Sequence, residues 1–119
     1  MSVKNFKNFN NWVVIGDVSN ESKYAHKILK KLKSNGLNVK GVNPRGGDNI
    51  FKSLKEIPYE IEAIDLCINS IQGLDYVKEA KDLGIKNILI QPGAESTAIL
   101  DYCKQNGINA VQGCALVDL

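Results

Sequence analysis

The sequence has 119 residues, of which 44% are hydrophobic and 24% are charged, and its formal net charge is only +2. This length and balance are typical of one globular domain that buries a core without disulfides or a structural metal. The lysines are spread along the chain without a basic stripe, and no apolar run approaches the roughly 20 residues of a membrane span. We therefore expect no nucleic-acid partner and no membrane segment.

The cysteines argue against a metal site. Cys67, Cys103 and Cys114 are an odd number with no close pair, and His26 is the only histidine. Zinc and similar sites use spacings such as C-x-x-C supported by histidines, so we predict no bound metal. Free thiols in a reducing compartment are the better interpretation. The free thiols, together with the lack of a signal-peptide pattern in the sequence, predict a cytoplasmic protein.

The first half of the chain alternates between strand and helix patterns. A continuous apolar run over residues 12–15 predicts a strand covered on both faces, after a short polar lead-in over 1–11. Apolar residues at helical spacing over 24–32, with lysines on the opposite face, predict the first helix. The alternating segment 37–42 predicts the second strand.

The alternation continues in the rest of the chain. Residues 45–60 are less regular, although Ile50–Phe51 suggests a short extended piece. Three further apolar runs, over 63–68, 87–90 and 110–111, predict the third, fourth and fifth strands. Amphipathic stretches between these runs predict the second and third helices.

Each predicted helix ends at a glycine that is followed by an apolar residue, as in Gly36-Leu37, Gly84-Ile85 and Gly107-Ile108. Glycine takes the left-handed cap conformation, and the apolar residue packs back on the last helical turn. Parallel strands joined by such helices need right-handed crossovers, which place helices on both faces of the sheet. We therefore predict one three-layer, doubly wound, Rossmann-like α/β domain over residues 1–119. Its five-stranded parallel sheet has the order 3-2-1-4-5, with a binding crevice at the carboxyl ends of strands 1 and 4.

The loop after the first strand leads from Gly16 into the N-terminus of a helix, where unpaired N–H groups favour an anion. It is not the dinucleotide motif G-x-G-x-x-G, because Val18 and Glu21 occupy the other two glycine positions. Ser19 is able either to cap the helix or to donate to a phosphate, and both interpretations stay open.

The loop after the second strand, Asn43-Pro44-Arg45-Gly46, bears on the identity of the ligand. NAD enzymes usually carry Asp or Glu here for the ribose 2′-hydroxyl. Arg45 is the only arginine of the chain, and its planar fork suits a phosphate on the ribose. This favours coenzyme A, with its 3′-phosphate, or NADP. Judged from this residue alone, an ordinary exposed arginine in a turn, without a ligand, is an equally good interpretation.

Similar segments follow the third and fourth strands, Asn69-Ser70-Ile71 and Gln91-Pro92-Gly93. Lys23, near the start of the first helix, is a further candidate ligand. Cys67 is expected to be buried in mid-strand, and neither it nor His26 has an evident partner for nucleophilic or acid–base chemistry. We therefore predict no catalytic residue.

In order and spacing, from Val13 to Leu119, the chain resembles the small stand-alone CoA-binding domain proteins. These are related to the N-terminal domain of the succinyl-CoA synthetase alpha subunit. The matching segments are Val14-Ile15-Gly16 with Ser19, Lys23-Tyr24, Val42-Asn43-Pro44-Arg45, Gln91-Pro92-Gly93-Ala94-Glu95 and Gly113-Cys114-Ala115-Leu116-Val117. The family usually has a small residue where Asp17 stands and often glycine where Ala25 stands.

The resemblance implies that coenzyme A or an acyl-CoA lies across the strand ends and is bound without catalysis by the chain itself. It places the pyrophosphate at 16–19, the adenosine and its 3′-phosphate at 43–46, and the pantetheine near 69–71 and 91–93. The predicted cofactor-binding residues are Gly16, Asp17, Val18, Ser19, Lys23, Tyr24, Asn43, Pro44, Arg45, Gly46, Asn69, Ser70, Ile71, Gln91, Pro92 and Gly93. A small NADP-linked oxidoreductase or a nucleotide-sensing regulatory module is the alternative function, and a homodimer is left open.

Overall fold

Six strands form a single parallel sheet in the computed structural model, which describes all residues 1–119. The strands are β1 Asn11–Gly16, β2 Asn38–Val42, β3 Ile50–Phe51, β4 Ala63–Cys67, β5 Asn87–Ile90 and β6 Asn109–Gln112. Four α-helices accompany them: α1 Tyr24–Ser34, α2 Ser70–Asp82, α3 Thr97–Gln105 and α4 Ala115–Asp118. Two 3-10 helices, Val3–Asn8 and Leu54–Glu56, complete the regular structure.

The strand order is β3-β2-β1-β4-β5-β6, with every neighbouring pair parallel. The predicted α/β class and the order 3-2-1-4-5 are confirmed, and a sixth strand is added. The edge position numbered 3 belongs to β3, whose two residues are too few to carry a strand periodicity. The segment predicted as the third strand, 63–68, is instead β4 and lies on the other side of β1. The winding therefore reverses between β1 and β4.

Buried side chains form two cores, one on each face of the sheet. Val13 and Ile15 of β1 lie in the core shared with α2 and α3, whereas Trp12 and Val14 lie in the core shared with α1 and α4. Phe6 of the first 3-10 helix is fully buried, with its ring centroid 5.8 Å from that of Trp12. The predicted lead-in therefore contributes to the core. None of the helices is both long enough and apolar enough to cross a membrane.

The three helix exits have the predicted geometry. Gly36, Gly84 and Gly107 have φ angles of 81°, 76° and 69°. The next residue in each case donates its N–H to a carbonyl in the last helical turn, as in the 2.9 Å bond from Ile85 N to Ala80 O. This hydrogen bond ends the helix and directs the chain towards the next strand.

β1 ends at Gly16, which pairs with Cys67 of β4. A Cβ atom on Gly16 would overlap the carbonyl oxygen of Cys67 and lie 2.9 Å from the Cβ of Ala25 in α1. Only glycine therefore allows α1 to pack this closely on the ends of the two strands. This contact brings the N-terminus of α1 to the carboxyl edge of the sheet.

Replacing Gly16 by Ala is expected to lower the free energy of unfolding by about 1–3 kcal/mol, because the methyl group must push α1 or β4 away. Equilibrium unfolding in urea measures this change. Gly73, inside α2, is the matched control, since a Cβ there would lie 3.4 Å from Ile99, an ordinary contact. Gly73→Ala should be neutral or stabilise by up to about 1 kcal/mol, and equal losses in both variants would contradict the close-packing explanation.

Candidate functional site

A cavity of about 480 Å³ opens at the carboxyl edge of the sheet, where the winding reverses. Its volume lies within the usual range of ligand sites. The loops after β1, β2 and β4 and the starts of α1 and α2 form its walls. The lining residues are Asp17, Lys23, Tyr24, Ala25, Asn43, Pro44, Arg45, Cys67, Ile68, Asn69 and Gln72.

The first wall is the N-terminus of α1. Lys23 stands at the cap position of this helix, and its side chain makes no capping hydrogen bond. α2 and α3 differ, because Asn69 accepts from Gln72 N and Ser96 accepts from Ile99 N. The first N–H groups of α1 thus keep their hydrogen-bonding capacity and helix dipole for a group bound in the cavity.

The second wall is the loop after β2. The amide of Asn43, which is only 8% exposed, ties this loop to the end of β1. Its Nδ2 donates to the carbonyl oxygen of Gly16 at 2.9 Å, and its Oδ1 accepts from Arg45 N at 3.0 Å. Both ends of the amide are therefore used within the protein. Asn43 holds the loop after β2 against the end of β1, in addition to lining the cavity.

An ion pair joins the loops after β1 and β2 at the cavity. One guanidinium nitrogen of Arg45 lies 3.1 Å from Oδ1 of Asp17. Ser19 also donates its Oγ hydrogen to that carboxylate oxygen, at 3.2 Å. The sequence predicts both charged residues at the site, but not that they pair with each other.

The floor of the cavity includes Cys67, which the sequence predicts as a buried mid-strand residue. The structure places it instead at the last position of β4, where it is partly exposed and pairs with Gly16, the last residue of β1. Burial raises the pKa of the Cys67 thiol to about 12, helped by the nearby Asp65 carboxyl and the Cys114 thiol. The thiol is therefore protonated at neutral pH and is a poor nucleophile.

The structure also brings residues to the cavity that the predicted set lacks. Ile68 and Gln72 line it on the β4 side, and Ala25 lines it beside Gly16. The signal for Ile68 and Gln72 was available, because both flank the polar segment that follows a predicted strand. Nothing in the sequence predicts Ala25 as a lining residue, since a methyl group carries no ligand chemistry.

Other predicted residues lie outside this cavity. Val18 is buried against Gly41, and Ser19 lines a separate cleft of about 440 Å³ beside His26. Ile71 projects from the start of α2 with 82% of its surface exposed. The remaining predicted residues that do not line the cavity are Gly16, Gly46, Ser70, Gln91, Pro92 and Gly93. Contact of any of these with a ligand stays a prediction.

His26 does not line this cavity. Its Nδ1 lies 2.7 Å from the carbonyl oxygen of Val18, which fixes that nitrogen as the hydrogen-bond donor. The ring braces the loop after β1. No group of three or more His, Cys, Asp or Glu side chains is arranged to hold a metal ion.

A buried polar pair lies below the cavity, in the middle of the sheet. Asp65 of β4 is completely buried, and its Oδ1 accepts a hydrogen bond from the side-chain amide of Gln91, which is 3% exposed. Oδ2 of Asp65 has no partner. Burial raises the pKa of Asp65 to about 7, partly offset by the Gln91 bond. Gln91 thus faces Asp65, which explains why it does not line the cavity.

Comparison with known proteins identifies a family and supports the fold. The sequence model of a family described as CoA binding domain matches residues 10–119. A conserved hypothetical protein from Pyrococcus furiosus is 32% identical, with a TM-score of 0.86 over 93% of this chain and 100% of its own. A hypothetical protein from Pyrococcus horikoshii OT3 has a TM-score of 0.87 at 20% identity, over 99% and 93% of the two chains, and supports the fold alone. No protein of curated function matches the sequence.

The buried carboxyl of Asp65 makes stability depend on pH. Its pKa is raised from 3.8 to about 7 in the folded protein, so the folded state binds a proton that the unfolded state has already released. The stability that this proton adds is fully present below the unfolded-state pKa of 3.8 and is lost as the pH rises from there to the folded-state pKa of about 7. We expect the unfolding free energy to fall by about 1.4 kcal/mol per pH unit as the pH rises towards 7, and to level off above it.

Asp65→Asn removes the titration while keeping the shape and the bond to Gln91. Its unfolding free energy, measured in urea from pH 5 to pH 8, should lose the decline that the unaltered protein shows. Asp75→Asn, at an exposed position on α2, is the control and should retain the decline. A decline of equal size in Asp65→Asn would show that another group causes it.

Proposed function

Because the chain belongs to the family of CoA-binding domains, we propose that it binds coenzyme A, free or acylated, in the cavity between the loops after β1, β2 and β4. The observation that carries this proposal is the uncapped N-terminus of α1, which lies in the cavity wall beside Lys23. Unpaired N–H groups, a helix dipole and an ammonium group together suit a diphosphate.

The diphosphate is therefore assigned to the start of α1. Ala25 lines the cavity at this helix end, and its short, buried side chain packs beside Gly16 instead of projecting into the space assigned to the ligand. Lys23 is exposed and lines the same wall, so its ammonium group is free to approach a phosphate oxygen. These contacts involve backbone groups and one point charge, as in other helix-terminal anion sites.

The adenosine is assigned to the side of the cavity formed by Tyr24 and Pro44. Tyr24 is 67% exposed although its ring is large and apolar, and it lines the cavity. Pro44 adds a second apolar surface from the loop after β2. Exposed aromatic rings at a site are commonly covered by the ligand, and a nucleobase has a flat face that suits them.

The pantetheine arm is assigned to the floor at Cys67, Ile68 and Asn69. Coenzyme A would supply a thiol that carries acyl groups, and the chain would supply binding and orientation. The Cys67 thiol is held protonated by its raised pKa, and His26 is committed to the carbonyl of Val18. Both observations favour a binding module without chemistry of its own.

The setting of this module follows from the same residues. All three cysteines are free thiols, which favours a reducing, cytoplasmic environment. The proposed partner is a small-molecule cofactor. A homodimer remains a prediction, and sedimentation at several protein concentrations would detect one.

Calorimetric titration with coenzyme A tests the proposal. Lys23→Ala should weaken binding by about threefold to tenfold, because it removes one exposed charge from the diphosphate site. Lys30→Ala is the matched control, since Lys30 is exposed on the same helix but does not line the cavity. It should leave the affinity within about twofold.

Two results would overturn the proposal. The first is no detectable binding of coenzyme A to the unaltered protein at millimolar concentration. The second is tighter binding of NADP than of coenzyme A, which would favour the nucleotide alternative. Mass spectrometry of small molecules that co-purify under native conditions gives an independent check.

A further inference from the structure

The ion pair between Asp17 and Arg45 stands at the place where a ligand would meet the only arginine of the chain. β1 and β2 are adjacent and parallel, so the loops that follow them lie at the same edge of the sheet. Asp17 belongs to the first loop, Arg45 belongs to the second, and both line the cavity. The pair therefore spans two walls of the proposed binding site.

The carboxylate of Asp17 is held in place from two directions. Arg45 reaches its Oδ1 at 3.1 Å, and Ser19 donates to the same oxygen at 3.2 Å. Its side chain is 30% exposed, against 72% for Arg45. Asp17 is thus the more fixed partner, and the guanidinium is the part that is free to move towards solvent or a ligand.

We propose that Asp17 determines which phosphorylated ligands the site prefers, by occupying the guanidinium that a ribose phosphate would otherwise bind. This inference rests on the proposed function. A ligand phosphate at Arg45 must either displace Asp17 or lie beside its negative charge. Both alternatives reduce what the ribose phosphate contributes to affinity, whereas the contacts assigned to the diphosphate use the N–H groups of α1 and Lys23 and neither member of this pair.

The balance of charges supports a change of preference rather than a closed site. Within the cavity lining the charged side chains are Asp17, Lys23 and Arg45. The negative charge of Asp17 cancels the positive charge of Arg45, which leaves Lys23 and the helix dipole of α1 to attract an anion. Exposed ion pairs in water are weak, so the pair does not lock the two loops together.

Titrating coenzyme A and dephospho-coenzyme A against the protein and its variants, at one fixed ionic strength, tests this proposal. The two ligands differ only in the ribose 3′-phosphate. We expect the unaltered protein to bind them within about threefold of each other. Asp17→Asn should tighten coenzyme A by about threefold to tenfold more than dephospho-coenzyme A, because Arg45 becomes available for a charge-assisted bond to the phosphate.

Three further variants isolate the cause. Arg45→Gln added to Asp17→Asn should abolish the gained preference. Asp48→Asn, at an exposed position outside the cavity, removes the same net charge and should leave the ratio of the two affinities unchanged. Asp17→Ser repeats the experiment with a smaller polar residue if the asparagine variant does not fold, which circular dichroism and thermal unfolding establish.

The outcomes separate this inference from the proposed function. An unchanged affinity ratio in Asp17→Asn, with both ligands still bound, would overturn the role of Asp17 and leave the proposed function standing. A gained preference that survives Arg45→Gln would overturn it as well. Failure of every variant to bind either ligand would overturn the proposed function and, with it, the inference.

Discussion

The geometry of the site depends on the close contact between Gly16, the carbonyl of Cys67 and the methyl group of Ala25. Parallel strands put their carboxyl ends at one edge, but they do not decide how near the next helix begins. The missing side chain at Gly16 decides it. α1 starts directly over the ends of β1 and β4, so its unpaired N–H groups, the floor at Cys67 and the charged loop at Asp17 face one space.

Buried polar groups then fix how the loops lie relative to that helix. Asn43 connects the second loop to the end of β1 through two hydrogen bonds, and nearly all of its surface is buried. Asp65 and Gln91 connect β4 with the end of β5, at the cost of an unpartnered carboxyl oxygen. Such groups contribute less to stability than apolar ones of similar size, but they accept few alternative arrangements.

The sequence predicts the fold well where the signal is local. The glycine and apolar residue at each helix exit give the alternation of helices and strands, and hence a parallel sheet. At Ile50–Phe51 the sequence indicates only a short extended piece and not a strand of the sheet, because β3 is an edge strand with just two paired residues. Phe6 lies in a polar segment, and its burial depends on Trp12 and Phe9, which come close only after folding.

The site, like the fold, is predicted where position along the chain decides it. Asp17, Lys23, Arg45 and Asn69 follow or precede regular elements and line the cavity, as strand-end reasoning expects. Such reasoning does not tell which way a side chain turns in the first residue or two beyond a strand. Gln91 turns inward because Asp65 offers a buried acceptor on the adjacent strand. The predicted strand order already places the loops that carry Asp17 and Arg45 side by side, but it does not show that the two side chains turn towards each other.

The amide of Asn43 has a consequence for how this scaffold can be varied. Since the Asn43 side chain bonds to the end of β1 and to the backbone of the loop after β2, the loops after β1 and β2 form one structural unit. A transplant of residues 16–23 into another protein of this architecture would lose its alignment unless an asparagine travelled with it at the end of the neighbouring strand. Loop libraries built on this chain would therefore explore most productively around Asn43 rather than through it.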